Sequence, residues 1–168
     1  MKKYKLTDDT VTLKNGTVLH RIQALRDFGE VKVGDLGGYI QSEANLSHEG
    51  DCWVDDDAKV FWDAWVYGDS RVFMDAKVSG NARVYGNARV FDNAWVYGKA
   101  RVYGNATVFG IAMVCENAEV SGKAQVYGDA VVYGSAWVCG YAQVRDNAQV
   151  HGVAKVYGDV VLHSGCVS

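Results

Sequence analysis

Arginine and aromatic side chains recur together at matched positions in the sequence. Arg83 and Arg101 are 18 positions apart (101 − 83 = 18), and each is followed two positions later by a tyrosine, Tyr85 or Tyr103. A guanidinium beside an aromatic ring can hold a phosphate while the ring stacks on a planar group. Arg71 and Arg89 have the same spacing and are each followed by a phenylalanine. The candidate ligand-binding residues are Arg71, Arg83, Arg89, Arg101, Tyr85 and Tyr103, and they suggest a small phosphorylated or nucleotide-like ligand.

The aromatic columns also have a purely structural interpretation. Rings stacked on neighbouring strands stabilise a sheet by about 0.5–1.5 kcal/mol per pair without binding anything. The sequence leaves both interpretations open.

The histidines are the candidates for general-base chemistry, which an acyl transfer needs because the attacking hydroxyl or amine must lose a proton. His20 and His48 precede the regular part of the sequence, whereas His151 and His163 lie near its C-terminal end. A solvent-exposed substitution accounts for His151 better than a general base does. No nucleophile elbow or Walker loop is present. We therefore assign no catalytic residue. The sequence leaves the enzyme question open: it favours a protein without catalytic activity, and the activity it would otherwise indicate is acyl transfer.

Composition and cysteine spacing exclude several classes of protein. The net charge of −3 and the pI of about 5.7 are too mild for a DNA mimic and too acidic for a general nucleic-acid binder. The four cysteines show no metal-binding spacing, so we predict no metal and no cofactor. No apolar run approaches the roughly 18 residues that a membrane span needs, and no signal-peptide pattern is present. We expect a cytoplasmic protein without a membrane partner.

A six-residue repeat must position these side chains. From Asp51 to Ser164 the sequence divides into 19 consecutive units (114/6 = 19) without insertion, such as NARVYG and NAWVYG. Position 2 is usually Ala, and position 4 is Val in every unit but the last. These two positions point to one side of an extended segment. The Gly residues at position 6 and the Asn or Asp residues at position 1 of the next unit suit sharp corners. Because one short strand cannot bury its apolar side, the units must stack as coils.

The repeat resembles the hexapeptide-repeat family, in which an aliphatic residue is followed four positions later by a small one. Val84 and Ala88 follow this pattern, as do Val90 and Ala94. The resemblance implies an all-β, left-handed parallel β-helix of about seven 18-residue coils. The position after Val is usually small in that family but is mostly Tyr or Phe here.

The chain is also similar to uncharacterised bacterial and prophage hexapeptide proteins that are often labelled acyltransferases. Family acyltransferases place a catalytic histidine near a cleft between the subunits of a trimer and usually project a loop from a coil. The 19 units here carry no such loop.

Residues 1–38 lie outside the repeat and are predicted to form an N-terminal cap on residues 39–168, the β-helix. Strand-like TVTL and TVLHRI flank Lys14-Asn15-Gly16, which is a hairpin signal. Ile40 and Leu46 stand in the inward phase, so a partial coil is expected before Asp51. A cap would cover the open strand edge at the end of the helix.

One outward column is apolar over three successive coils and predicts a homo-oligomer. A contiguous patch of several hundred Å² is larger than a monomer commonly exposes. The resemblance to hexapeptide proteins favours a trimer, because a closed ring covers one flat patch on each chain. The predicted interface residues are Trp95, Tyr97, Ile111, Met113, Val131 and Tyr133.

The sequence leaves three functional hypotheses. The first is a non-catalytic binding or scaffold protein, of phage or prophage origin, that sequesters a small phosphorylated ligand or a host protein. The alternative is an acyl-CoA-dependent acyltransferase that uses His151 or His48 across a subunit interface. The third is a structural, polymer-forming protein.

Overall fold

The chain is an all-β parallel solenoid with an antiparallel hairpin at its N-terminus, and a computed structural model describes residues 2–168. Strand β1 (Tyr4–Thr12) pairs antiparallel with β2 (Val18–Ala24), and β2 pairs antiparallel with β3 (Leu36–Ile40). A single 3₁₀ turn, Glu43–Asn45, leads into the coils. The hairpin predicted around Lys14-Asn15-Gly16 is thereby confirmed.

The coils are built from short strands of two residues each, separated by corners. They are β4 (Trp53–Val54), β5 (Lys59–Val60), β6 (Trp65–Val66), β7 (Arg71–Val72), β8 (Lys77–Val78), β9 (Arg83–Val84), β10 (Arg89–Val90), β11 (Trp95–Val96), β12 (Arg101–Val102), β13 (Thr107–Val108), β14 (Met113–Val114), β15 (Glu119–Val120), β16 (Gln125–Val126), β17 (Val131–Val132), β18 (Trp137–Val138), β19 (Gln143–Val144), β20 (Gln149–Val150), β21 (Lys155–Val156), β22 (Val161–Leu162) and β23 (Cys166–Val167).

Every third strand pairs in parallel, which produces three sheets and confirms the predicted coils of about 18 residues. The first face is the seven-stranded sheet β4-β7-β10-β13-β16-β19-β22. The second face is the ten-stranded sheet β1-β2-β3-β5-β8-β11-β14-β17-β20-β23, which includes the hairpin. The third face is the six-stranded sheet β6-β9-β12-β15-β18-β21.

The core follows from the alternation of positions 2 and 4. From Ala58 to Val150 these inward side chains are at most 1% exposed. Each coil also bonds to the next through its backbone, as where the Arg83 N–H donates to the Ala100 carbonyl at 2.9 Å. Burial of each methylene contributes about 0.8 kcal/mol, so the Val and Ala columns supply the main stabilisation.

The N-terminal end of the core is plugged by aromatic rings. Tyr4 stacks on His48 with ring centroids 4.3 Å apart, and Phe28 meets Trp53 edge to face at 5.3 Å. Trp53 is 1% exposed, and the Tyr4 hydroxyl donates to the Leu46 carbonyl at 2.7 Å. The N-terminal hairpin and the loop between β2 and β3 therefore cover this end of the solenoid.

The last coil departs from the repeat by one residue. Continuing the six-residue pattern puts Cys166 at the inward position 2. The structure instead pairs Cys166 with Gln149 and Val167 with Val150, a spacing of 17 residues (166 − 149 = 17). Cys166 is consequently exposed. The shorter corner at Gly165 (φ 82°) lets Val167, rather than Ser168, pack against the core.

Candidate functional site

The six candidate ligand-binding residues lie on two different faces. Arg71 and Arg89 are register partners on β7 and β10 of the first face. Arg83 and Arg101 are register partners on β9 and β12 of the third face. The two arginine pairs therefore form separate strips and do not converge on one site.

The third-face strip combines a tyrosine ladder with an ion pair. The rings of Tyr67, Tyr85 and Tyr103 stack with centroids 4.8 and 5.0 Å apart and planes 4° apart. Arg101 pairs with Glu119 at 3.4 Å, and the Tyr103 hydroxyl donates to the same carboxylate at 3.1 Å. Glu119 therefore already neutralises part of the positive charge of this strip.

The first-face ladder lies beside the other arginine pair. Its rings stack at 4.7–4.9 Å with planes no more than 8° apart. The members are Phe73, Phe91, Phe109 and Tyr127. This geometry is that of a stabilising ladder, as the structural interpretation of the aromatic columns predicted.

A cleft opens where the N-terminal segment meets the first face, at the N-terminal end of the solenoid. Its volume is about 220 Å³. Arg71 pairs there with Glu30 at 3.2 Å. The lining residues are Glu30, Asp55, Asp56, Arg71, Phe73 and Arg89. We call this the cap cleft.

The acidic residues of the cap cleft did not emerge from the sequence. The Asp55 carboxylate accepts the Asp56 N–H at 3.0 Å, and the Asp56 carboxylate accepts the Met74 N–H at 3.1 Å. Asp55 lies 18 positions before Phe73 (73 − 55 = 18), at the same position of the repeat. A carboxylate where the following coils have an aromatic ring is the sequence feature from which this end of the first face could have been identified. Glu30 reaches the cleft only because its loop docks on the first face, and its local sequence gives no such signal.

One of the two guanidinium groups in the cap cleft has no ion-pair partner among the described residues. Two guanidinium groups on adjacent strands repel each other unless an anion lies between or beside them. Glu30 is such an anion for Arg71, but its side chain is 94% exposed, which weakens the pair. Arg89 is exposed and makes no salt bridge within residues 2–168. The pair therefore has a guanidinium available to an incoming anion.

The histidines differ in how far they are engaged. His48 accepts the Lys3 backbone N–H at Nδ1 (3.2 Å), and its Nε2 lies 3.5 Å from the Glu43 carboxylate. Both ring nitrogens of His48 are thus engaged in docking the cap, which leaves neither free to act as a base. His151 stacks on Tyr133 at 5.1 Å, and His163 is exposed.

The predicted interface residues line the second face. Ile111 is 64% exposed and Trp95 37%, whereas Met113 and Val131 are half-buried. Met113 pairs in register with both Trp95 and Val131 on neighbouring strands, which makes the apolar column continuous. Flanking it are the half-buried rings of Tyr97 and Tyr133.

Exposed apolar residues also occur on the third face, but they are not continuous. Trp65 and Trp137 are 40% and 38% exposed. Arg83, Arg101 and Glu119 separate them along the column. Continuity, rather than exposure alone, distinguishes the second face.

Residues 2–168 contain no group of three or more His, Cys, Asp or Glu side chains placed to hold a metal ion. In the same range, no helix has the length and apolar character needed to cross a membrane.

Comparison with known proteins agrees with the fold. Residues 82–98, 100–116 and 124–140 match the YdcK beta solenoid repeat. Over 63 residues the chain is 35% identical to a protein named "Uncharacterized acetyltransferase YdcK" from Escherichia coli (strain K12), and the match covers 33% of this chain. It spans only 19% of that relative. Together with the 18-residue coils, these matches agree with the resemblance to hexapeptide-repeat β-helix proteins that the repeat indicated.

Proposed function

We propose that this protein is a non-catalytic binding protein whose cap cleft binds a small sugar phosphate. The observation that carries the proposal is the in-register pair Arg71 and Arg89, which lines a cleft together with the Phe73 ring. Paired guanidiniums bind phosphate through charge-assisted hydrogen bonds. An aromatic ring beside them offers an apolar surface to the C–H face of a sugar.

The carboxylates of the cleft favour this ligand over a nucleotide polyphosphate. Glu30, Asp55 and Asp56 stand with the two arginines, and a carboxylate accepts hydrogen bonds from hydroxyl groups. The same carboxylates repel a polyphosphate tail. A monosaccharide with one phosphate uses both halves of the cleft, and its small size suits a volume of about 220 Å³.

Calorimetric titration with glucose phosphate tests the proposal. The Arg89→Gln variant removes one charge-assisted contact worth about 1.5–3 kcal/mol, so binding should weaken by roughly 10- to 150-fold. Binding to the variant should also depend less on salt. Arg83→Gln is the matched control, because Arg83 is exposed in the same way but lies on the third face. Equal affinity of the wild type for glucose and glucose phosphate would refute the phosphate role.

An acetyltransferase is the second candidate function, favoured by the name of the Escherichia coli relative. His48 is engaged in cap docking, so His151 is the base that this alternative requires. The alternative predicts that the protein binds acetyl-CoA and transfers its acetyl group, and that His151→Ala abolishes the transfer. Acetyl-CoA titration that shows no binding, combined with glucose phosphate binding, favours the first function.

We also propose that the second face is covered by further copies of this chain in a homotrimer. Its apolar column is continuous through Trp95, Met113 and Val131, and a charge buried there without a partner is strongly unfavourable. The double variant Met113→Glu, Val131→Glu should therefore be a folded monomer by light scattering and circular dichroism. The matched control carries two glutamates on the third face, at Arg83 and Arg101, and should keep the wild-type mass.

A further inference from the structure

A buried lysine and a buried cysteine meet where the N-terminal cap docks on the first coil. Lys3 and Cys52 are both 0% exposed, and the Lys3 Nζ lies 3.2 Å from the Cys52 Sγ. The same Nζ donates to the Cys52 carbonyl at 2.8 Å and to the Gly50 carbonyl at 3.2 Å. These three contacts hold the amine against the sulfur in one orientation.

Aromatic side chains shield the pair from water. The Phe28 ring lies 4.9 Å from the Lys3 Nζ, and the Trp53 side chain packs on Phe28. Burial lowers the pKa of Lys3 and raises the pKa of Cys52, because desolvation disfavours both the ammonium and the thiolate. A larger fraction of Lys3 is therefore a neutral amine, with a free lone pair, than in water.

Cys115 provides an internal comparison. It is also buried, at 6% exposure, but its sulfur faces the Tyr97 hydroxyl instead of an amine. Both thiols are shielded, but Cys52 lies beside a lysine amine whereas Cys115 lies beside a tyrosine hydroxyl. A chemical difference between them on oxidation would therefore report the lysine and not burial.

We propose that Lys3 and Cys52 form an oxygen-bridged N–O–S cross-link when the protein meets hydrogen peroxide. The first peroxide converts the thiol to a sulfenic acid and releases one water. The second peroxide takes the O–H hydrogen of the sulfenic acid and one N–H hydrogen of Lys3 as the N–O bond forms. This peroxide is thereby reduced to two waters. Each peroxide accepts two electrons, so the pair loses four in all.

The cross-link would hold the N-terminal cap on the first coil. Lys3 immediately precedes β1, and Cys52 immediately precedes β4, so the bond ties the hairpin covalently to the first coil. Reduction by two equivalents of a dithiol returns the amine, the thiol and one water. The raised pKa of Cys52 keeps its thiolate fraction small, so the reaction is expected to be slow.

Mass spectrometry of the wild-type protein before and after peroxide treatment tests the proposal. Peptide mapping should join the segments that contain Lys3 and Cys52, and the joined pair should carry one oxygen more and two hydrogens fewer than the two separate peptides. Cys166 is exposed and can be oxidised separately, so the readout is the modification of Cys52 itself and not the total number of free thiols. Dithiothreitol should reverse these changes, and the melting temperature should be higher in the linked form.

The variants separate the pair from general oxidation. Cys115→Ser should still form the link, whereas Cys52→Ser and Lys3→Arg should not. Should either of the latter fail to fold, wild-type protein treated in guanidinium serves as the control, and it should form no link. The proposal is overturned if folded wild type shows Cys52 as a thiol or sulfinic acid without a bond to Lys3. A bridged mass that lacks the extra oxygen would overturn the oxygen-bridged form.

Discussion

The corner at position 6 of the repeat sets how closely successive coils can approach, and Gly104 tests it. This residue has φ 70°, and a Cβ added there would lie 3.1 Å from both the N and the O of Gly122 in the next coil. The Gly122 carbonyl also accepts the Asn105 N–H at 2.7 Å, so it cannot easily move aside. Asp92 also occupies position 6 of its unit, and it adopts a similar left-handed backbone, at φ 57°, although it carries a Cβ. Its carboxylate accepts the Gly110 N–H of the next coil at 3.0 Å.

Two substitutions at this one position separate the steric cost from the hydrogen bond. Gly104→Ala places a non-glycine residue in the left-handed region, which costs about 1–2 kcal/mol. Overpacking against Gly122 adds roughly 1–3 kcal/mol, for a loss of about 2–5 kcal/mol in the free energy of unfolding. Gly104→Asp adds the same Cβ but can accept the Gly122 N–H as Asp92 does. A hydrogen bond to a charged group recovers about 1.5–3 kcal/mol.

Urea denaturation followed by circular dichroism measures both variants. The alanine variant should be the least stable of the three proteins, with the aspartate variant between it and the wild type. If the two variants lose the same free energy, the corner carboxylates do not contribute to the stacking of the coils. If neither variant loses stability, the close approach of the corners does not limit the fold.

Two further perturbations address the aromatic ladder and the buried titratable groups. Phe91→Ala removes two stacked ring pairs and should lower the free energy of unfolding by about 1–3 kcal/mol. Val153→Ala, at a position 78% exposed, is the control and should change it by less than about 0.5 kcal/mol. Equal losses for the two variants in urea denaturation would show that the stacked rings do not stabilise the fold. Burial raises the pKa values of Tyr4 and Cys52, so above about pH 9 the unfolded chain loses these protons first and is stabilised relative to the folded one. The melting temperature should consequently fall between about pH 8 and pH 11, although the lowered pKa of Lys3 opposes part of this change; a rising melting temperature would show that the lysine dominates.

The regular part of the fold could be predicted because its constraints are local and repeated. Val84 and Val102 must both face inward once the period of two is recognised, and the 18-residue coil then brings Arg83 beside Arg101. Stacked rings follow from the same register. One unit taken alone would not suffice, but many units in phase leave little freedom.

The parts that escaped prediction depend on contacts between distant segments. Lys3 and Cys52 are 49 positions apart (52 − 3 = 49), and neither belongs to a pattern that signals the other. Glu30 likewise reaches Arg71 only through the docking of the cap. Near the C-terminal end, the pairing of Cys166 with Gln149 is one residue out of the repeat, and it accompanies the packing of Val167 against the core.

The location of the bound ligand is the most direct test of the proposed function. Nuclear magnetic resonance of the arginine Nε–H groups, recorded during titration with glucose phosphate, reports each guanidinium separately. The cap cleft predicts that Arg71 and Arg89 shift together and saturate at one affinity, while Arg83 and Arg101 stay unchanged. Shifts at Arg83 and Arg101 with none at Arg71 and Arg89 would contradict the assignment of the site, and no shift at any of them would contradict sugar phosphate binding altogether.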